Sequence, residues 1–488
     1  MGKRDALMHL ASFLRQNESC GGTVMQRSKL RAYIGDRAFY AHLMRIAFPI
    51  MLQNGITNLV SLLDNIMVGA VGTEQMTGVS IVSQLLFVFN LCIFGGLSGP
   101  GIFTSQYYGK GDDEGIRNTF RYKLWLAMIL FLGGTGIFLL FGNSLIALYL
   151  HDGGETGDIA MTAMYGQEYL RVMLFGLLPF AIQQVYASTL RETGETMVPM
   201  KAGITAILIN LSLNYVLIFG HLGLPTMGCV GAAWATVIAR YVECFIILIW
   251  AHTHASRVPF IRGLYRTLRV PLTLAKRIFL KGSPLLINEA LWSSGMAALT
   301  QCYSTFGLAV VAGLNISSTV SNLFAAVWLS MGTAVSIIVG QQLGANEFEK
   351  AKSSVRRIMA FSIASASLIA LVVIAFAPLF PELYNTTDEV KHLAVWFLCI
   401  SMATSPIQAF GNASYFTLRA GGKTWITFAF DSVYLWVLRV PIVRAMIAFT
   451  TWPIMVIFLI SCLVDLFKCV LGYVLIKRGI WIHNIVDQ

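Results

Sequence analysis

Residues 284–289, PLLINE, repeat the pattern of residues 49–54, PIMLQN, and this repetition decides how the chain is organised. At the same offset Gly72 falls on Gly307, Gly78 on Gly313, Gln106 on Gln341 and Gly109 on Gly344, so SQYYGKGD resembles GQQLGANE. A slightly shorter offset aligns TLRETGET, from Thr189, with TLRAGGKT, from Thr417. The two halves are therefore copies of one structural unit, and an element built by one is expected in the other.

Each copy is strongly apolar. The 488 residues are 56% hydrophobic and 12% charged, with a mean hydropathy of +0.68, which no water-wetted surface would give. A membrane-spanning helix takes about 20 mainly apolar residues, and about a dozen such stretches follow one another. They cover residues 44–68, 78–102, 121–142, 165–190, 200–220, 228–251, 283–306, 313–338, 357–377, 392–418, 424–448 and 454–476. The stretches are too long and too uniform for barrel strands, so an all-α membrane protein is expected. Six spans per copy return the chain to the side it entered from, which makes the repeats parallel about an axis along the membrane normal. The expected division is a basic leader over 1–43, an N-lobe over 44–251, a linker over 252–282 and a C-lobe with a short tail over 283–488.

Lys and Arg fall in alternate loops. Lys110, Arg117, Arg121 and Lys123 form one group, Arg191 and Lys201 the next, and the 252–282 segment carries a third. Lys350, Lys352, Arg356 and Arg357, then Arg419 and Lys423, then Lys477 and Arg478 complete the series. The intervening loops, such as 151–158 and 381–391, are acidic or neutral apart from Lys391. The positive-inside rule then places both termini in the cytoplasm of a multi-pass cell (plasma) membrane protein. The net charge of +11 follows from this bias and suits an anionic inner leaflet. Spread over short loops, the basic residues offer no patch for nucleic acid. The leader has no continuous apolar core of a cleaved signal. The eight cysteines lie mostly singly in apolar stretches, without metal-ligand spacing, and are read as packing thiols. No phosphate-cradling glycine loop, metal cluster or nucleophile triad is present, so neither a cofactor, an enzyme nor an ATP-driven pump is expected.

A charge at the centre of a bilayer costs about 2.5–3.5 kcal/mol on insertion scales, so each intramembrane charge needs a partner or a task. Glu168 and Arg171, Arg240 and Glu243, and Asp465 and Lys468 are three apart, where helix side chains meet, and are expected to pair locally. Arg439 and Asp465 lie at similar depth on successive spans and are candidates for an interhelical pair. Asp431 is expected within reach of water near the cytoplasmic end. Asp64 and Glu289 have no base three or four positions away. A desolvated carboxylate of this kind takes up a proton or holds a cation and releases it when hydrated, which is the chemistry of a cation-coupled carrier. The FGGLSGPG stretch, Phe94 to Gly101, has the small-residue spacing of close helix packing, with a kink at Pro100.

The repeats, Asp64 in NLVSLLDNIMVGAVG, the SQYYGKGD loop, the paired TLRETGET and TLRAGGKT turns and the NLSLNYVLIFG…GCVGAAWAT block together resemble the multidrug and toxic compound extrusion (MATE) family. The resemblance runs from about residue 40 to the C-terminus. It implies a V-shaped pair of six-helix lobes, working as a monomer among membrane lipids. It also implies export of amphipathic, mainly cationic organic compounds by antiport with protons or sodium ions, through alternating access. In the family an N-lobe cation site combines an acid on the first helix, an Asn-x-x-x-Asp pair on the fifth and a Thr on the sixth. These positions are Asp64, Asn210, Asn214 and Thr236 here, with Asn214 replacing the second acid. Glu289 matches the seventh-helix acid of the sodium-coupled branch, whereas Gln408 stands where that branch has an Asp on the tenth helix. A sodium ion would be held at Asp64 or Glu289, and the loss of one acid per lobe favours protons, because hard cations prefer anionic oxygens. The rival reading is a flippase of the related superfamily that moves lipid-linked oligosaccharides.

Overall fold

The computed structural model describes residues 33–149, 158–384 and 386–487. The leader up to residue 32, with Cys20, and residues 150–157 of the acidic loop lie outside the described residues. Among the described residues the helices group into twelve crossings. In the N-lobe these are α1 (Arg37–Gly69), α2 (Thr73–Lys110), α3 (Asp113–Ala147), α4 (Ile159–Leu174 and Leu177–Glu192), α5 (Met197–Phe219) and α6 (Gly228–Thr253). In the C-lobe they are α7 (Leu272–Ser304), α8 (Leu308–Gly344), α9 (Phe348–Phe376), α10 (Asp388–Ala403 and Ser405–Ala420), α11 (Thr424–Phe449) and α12 (Ile454–Lys477). Eight of them are each long and apolar enough to cross a membrane, and α4 and α10 cross as bent pairs. α1 and α7 do not reach that apolarity. They are the first helices of the two lobes, and they carry Asp64 and Glu289.

The duplication extends to irregularities. α4 bends by 49° and α10 by 48°, at breaks around Gly176 and Thr404 that the TLR offset superposes. Pro179 and Pro406 follow the breaks closely, and a proline there removes a backbone donor of the turn that would have continued. Among the described residues only α11 contains π-helical turns, Ala429–Val433 and Leu435–Arg439.

Several helices start before the apolar stretch does. Asp112 caps α3 by accepting from Gly115 N at 2.8 Å, so Arg117, Arg121 and Lys123 belong to that helix and not to a loop. Lys123 is wholly buried and donates to Ser188 Oγ, Thr189 Oγ1 and Glu192 Oε2 at 3.2, 3.0 and 2.5 Å. α7 begins at Leu272, which shortens the connection between lobes to residues 254–271. Arg121 holds that connection through the carbonyls of Leu264 and Gly263, at 2.9 and 3.1 Å.

The lobes meet along α2 on α7 and α8, and along α1 on α8. Gly95 and Gly99 of FGGLSGPG lie on this seam, in the close packing that their spacing suggested: a methyl group at Gly99 would lie 2.3 Å from Gly282 Cα, and one at Gly95 would lie 3.2 Å from Leu286 Cα. At the basic end of the bundle α2 crosses α8 backbone to backbone. A methyl group at Gly109 would sit 1.8 Å from Gln341 O, and one at Gly344 would sit 1.9 Å from Gln106 O. Each lobe here caps a helix end of the other: Gln106 Nε2 donates to Ala420 O at 3.0 Å, and Gln341 Nε2 donates to Glu192 O at 2.8 Å. The two bonds are one contact, related by the duplication.

The chain after α12 folds over this crossing. Ile485 N donates to Gln106 Oε1 at 2.8 Å, Lys110 Nζ meets Asp487 Oδ1 at 2.6 Å, and Trp481 is buried with its carbonyl against Gly421. Hydrogen bonds from Lys110 and Asn346 hold the Asp487 carboxyl below the usual carboxylate range. A depressed carboxylate supports the fold above that range and loses its contribution only as pH falls into it, so this contact persists at neutral pH.

Gly344→Val is expected to force the crossing apart. Overpacking at a close backbone contact costs about 1–3 kcal/mol, so the purified variant should melt several degrees below the wild type. An unchanged melting temperature would mean that the crossing yields without cost.

Candidate functional site

In the N-lobe, Asp64 on α1 faces α5 and α6. Asn214 Nδ2 donates to Asp64 Oδ1 at 2.7 Å, and Asn210 lies one helical turn away on the same face of α5. The Asn210 amide stands 3.3 Å from Asn214 and 3.2 Å from Thr236 Oγ1. With its nitrogen turned to the carboxylate it donates to both Asp64 oxygens, at 3.2 and 3.3 Å, while its oxygen accepts from Thr236. The structure thus brings together the four N-lobe residues singled out by sequence. Asn210 and Asn214 are buried, and Asn214 Oδ1 is a buried oxygen with no hydrogen-bond partner among the described residues.

In the C-lobe, Glu289 and Gln408 both line a cavity of about 560 Å³. Its wall is drawn from α7, α8, α10, α11 and α12, with Phe94 of α2 at the seam. Asp64 is not among the described residues lining it. Asn214 draws Asp64 into its own lobe.

The position of Glu289 has a counterpart across the duplication. In the N-lobe the matching residue, Asn54, donates to Ser330 Oγ of α8 at 3.3 Å. In the C-lobe Glu289 packs on α2 at Gly95, the residue that matches Ser330, and a methyl group there would lie 3.1 Å from Glu289 Cγ. The glycine gives room for the acid and supplies no hydroxyl to bond it. Glu289 makes no ion pair among the described residues.

Other charges line the same cavity. Arg439 Nη1 meets Asp465 Oδ2 at 3.2 Å, the interhelical pair expected from their depth. Asp431 pairs with Lys468 at 2.5 Å and accepts from Asn288 Nδ2 at 3.2 Å. The three pairs expected from three-residue spacing do not form among the described residues. Lys468 reaches Asp431 instead of Asp465; Glu243 accepts from Gln183 at 2.8 Å; Arg240 lies 4.9 Å over the Phe180 ring; Glu168 and Arg171 are exposed. A buried charge takes whichever neighbouring helix offers the better geometry, and intrahelical spacing gives only one candidate. Asp431 escaped a functional reading although one signal was present. At the TLR offset it stands where the N-lobe has Gly203, while Lys468 stands where the N-lobe has Arg240.

Two lobes on a duplicated twelve-helix scaffold, with a seam between them, a carboxylate bonded by amides in one and a lined cavity in the other, define a two-lobed membrane transporter. The family model described as MatE matches residues 49–216 and 284–444, more than half of the chain and both repeats. The chain belongs to the MatE family, whose members are transporters. It is 25% identical over 414 residues to the probable multidrug resistance protein YoeA of Bacillus subtilis, covering 83% of this chain and 87% of that one. It is 27% identical over 378 residues to the probable multidrug resistance protein NorM of Geobacillus kaustophilus, covering 76% and 81%. Among solved structures, a multidrug resistance MATE family transporter of the MOP superfamily in an outward-facing conformation superposes with a TM-score of 0.81 at 20% identity, covering 92% of this chain and 97% of that one. A MOP superfamily transporter of Pyrococcus furiosus, for which reverse polarity of the binding pocket suggests a different function, gives 0.80 at 20% identity with the same coverage.

Removing one member of a buried ion pair leaves a bare charge, at a cost of about 3–5 kcal/mol. Arg439→Met is therefore expected to destabilise the protein strongly, and Arg439→Met with Asp465→Leu to recover most of the loss. Equal melting of single and double variants would show that the pair contributes nothing as a pair.

Proposed function

We propose that the protein is a secondary active multidrug exporter, moving amphipathic, mostly cationic organic compounds outward by antiport with protons or sodium ions. The observation that supports this best is that Asp64 and Glu289 make no ion pair among the described residues. A proton or a small cation at Asp64, and a cationic cargo beside Glu289, would supply the missing charge. The N-lobe site fits such an ion: one carboxylate, the unpartnered Asn214 Oδ1 and the Thr236 hydroxyl are hard oxygen donors with a single formal charge. The cavity wall near Glu289 includes Trp292 and Met296, which suit flat apolar bodies.

Transport proceeds by alternating access of two lobes in a monomer. The basic end faces the cytoplasm, so both termini lie there and the membrane is the cell membrane. The crossing at Gly109 and Gly344 then shuts the cytoplasmic side, and opening it means breaking the two glutamine bonds and lifting the C-terminal strap. The flippase reading is less well supported. Lys468 and Arg439 are each held by an acid, and Arg419 shares the cavity with Glu289, so the several free cations that grip a pyrophosphate are not offered.

Proteoliposomes with a proton gradient or a sodium gradient imposed separately should show dye efflux driven by one of them. Asp64→Asn should remove that drive, lowering efflux at least tenfold at equal expression; full efflux by Asp64→Asn would overturn the reading. Glu289→Gln should weaken binding of a cationic dye while a neutral dye is unaffected. Asn214→Asp, which restores the second acid, is expected to raise sodium dependence; sodium-independent efflux by that variant would count against an ion at this site.

A further inference from the structure

Lys468 of α12 reaches into a half-cage on α11. Its ammonium lies 2.5 Å from Asp431 Oδ1, 5.2 Å from the centre of the Phe430 ring and 6.0 Å from that of Tyr434. A carboxylate flanked by aromatic faces is the arrangement that binds organic ammonium ions, and here one of the protein's own cations fills it.

The carboxylate is held firmly from three helices. Asn288 of α7 donates to Asp431 Oδ2 at 3.2 Å, and Ser432 Oγ fixes Asn288 through both its backbone and side-chain oxygens, at 2.9 and 2.7 Å. The α11 backbone at this point, Ala429–Val433, is π-helical, a distortion that gathers at functional sites. Asp431, Lys468, Tyr434 and Glu289 line one cavity. The N-lobe has no equivalent, since Gly203 stands in place of Asp431.

We propose that Asp431, with Phe430 and Tyr434, is a cargo-ammonium site, and that Lys468 is a tethered cation which occupies it until the ammonium group of a cargo molecule displaces it. The inference rests on the cation-export reading above. Exchange of one cation for another leaves Asp431 compensated throughout, so the penalty of a bare buried carboxylate is avoided. The displaced ammonium has an acceptor one helical turn away in Asp465, which lines the same cavity and would then be shared with Arg439. Glu289, next to Asn288 on α7, draws the cargo in. The return of Lys468 to Asp431 then drives the cargo off, giving the cavity a built-in means of release.

The test is binding of ethidium to the purified full-length protein, followed by fluorescence anisotropy, with release followed in proteoliposomes. If the tethered ammonium fills the site about nine-tenths of the time, Lys468→Met should bind ethidium about tenfold more tightly and release it more slowly. Lys468→Arg should behave like the wild type in binding. Where Lys468→Met does not fold, the neutral Asp431→Asn with Lys468→Met takes its place and should bind about tenfold more weakly than the wild type. A folded Lys468→Met of unchanged or weaker affinity, or a double variant that binds like the wild type, would show the pair to be structural and overturn the proposal while leaving export intact. If the folded wild type binds no ethidium and no tetraphenylphosphonium, the export reading itself fails, and this inference with it.

Discussion

The crossing of α2 and α8 at the basic end is the contact on which the rest of the molecule depends. Two glycines let the backbones touch, and two glutamines reach past each other to the last carbonyls of α4 and α10. Four helices, two from each lobe, are tied at one place. Helix-terminal carbonyls have no partner within their own helix, so each lobe completes the other. A single hydrogen bond contributes only about 0.5–1.5 kcal/mol net, because water replaces it when it breaks. The crossing is therefore specific in geometry yet modest in strength, as the proposed alternating access requires.

The duplication supplies one scaffold and the two lobes load it differently. Asn54 on α1 crosses the seam to a serine hydroxyl, whereas Glu289 at the matching place on α7 meets a glycine. Asp64 is bonded by the amides of α5 inside its lobe, and its counterpart in α7 is Leu299. Polar bonding inside the N-lobe holds its acid against α5. Ion pairs and aromatic rings in the C-lobe line a space large enough for a small organic molecule. The acids differ in level, in partner and in surroundings, although the backbones that hold them are copies.

Much of this was legible in the sequence, and the reason differs by element. The offset matched Gln106 with Gln341 and Gly109 with Gly344 as repeat positions, and the structure shows that these matched residues meet in the crossing. Asp64, Asn210, Asn214 and Thr236 came together as the resemblance implied. The partners of Arg240, Glu243, Asp465 and Lys468 were not legible, because spacing along one helix says nothing of what a neighbouring helix presents. Lys123 was read as a loop cation, yet it is wholly buried: the cap at Asp112 starts α3 well before the apolar stretch, and Glu192 lies on another helix. The π-helical turns of α11 left no trace in composition.

Separation of the two acids raises the question of how one lobe could sense the other, and the contacts offer a route. Asp64 and Asn54 share α1, so any shift of α1 that accompanies a change of charge at Asp64 acts on the Asn54 bond to α8. The start of α5 is tied to the same helix, where Thr196 Oγ1 donates to Arg45 O at 3.0 Å. α8 in turn ends at Gly344, in the crossing, and supplies Trp328 to the cavity wall. A chain of contacts becomes a coupling only where it ends in an element with two arrangements that both sites bias. In the alternating access proposed above, the crossing would be such an element, its glutamine bonds and the C-terminal strap parting together. α8 thus lines the cavity with its first half, meets the N-lobe acid's own helix at Ser330 and ends in the crossing at the basic end.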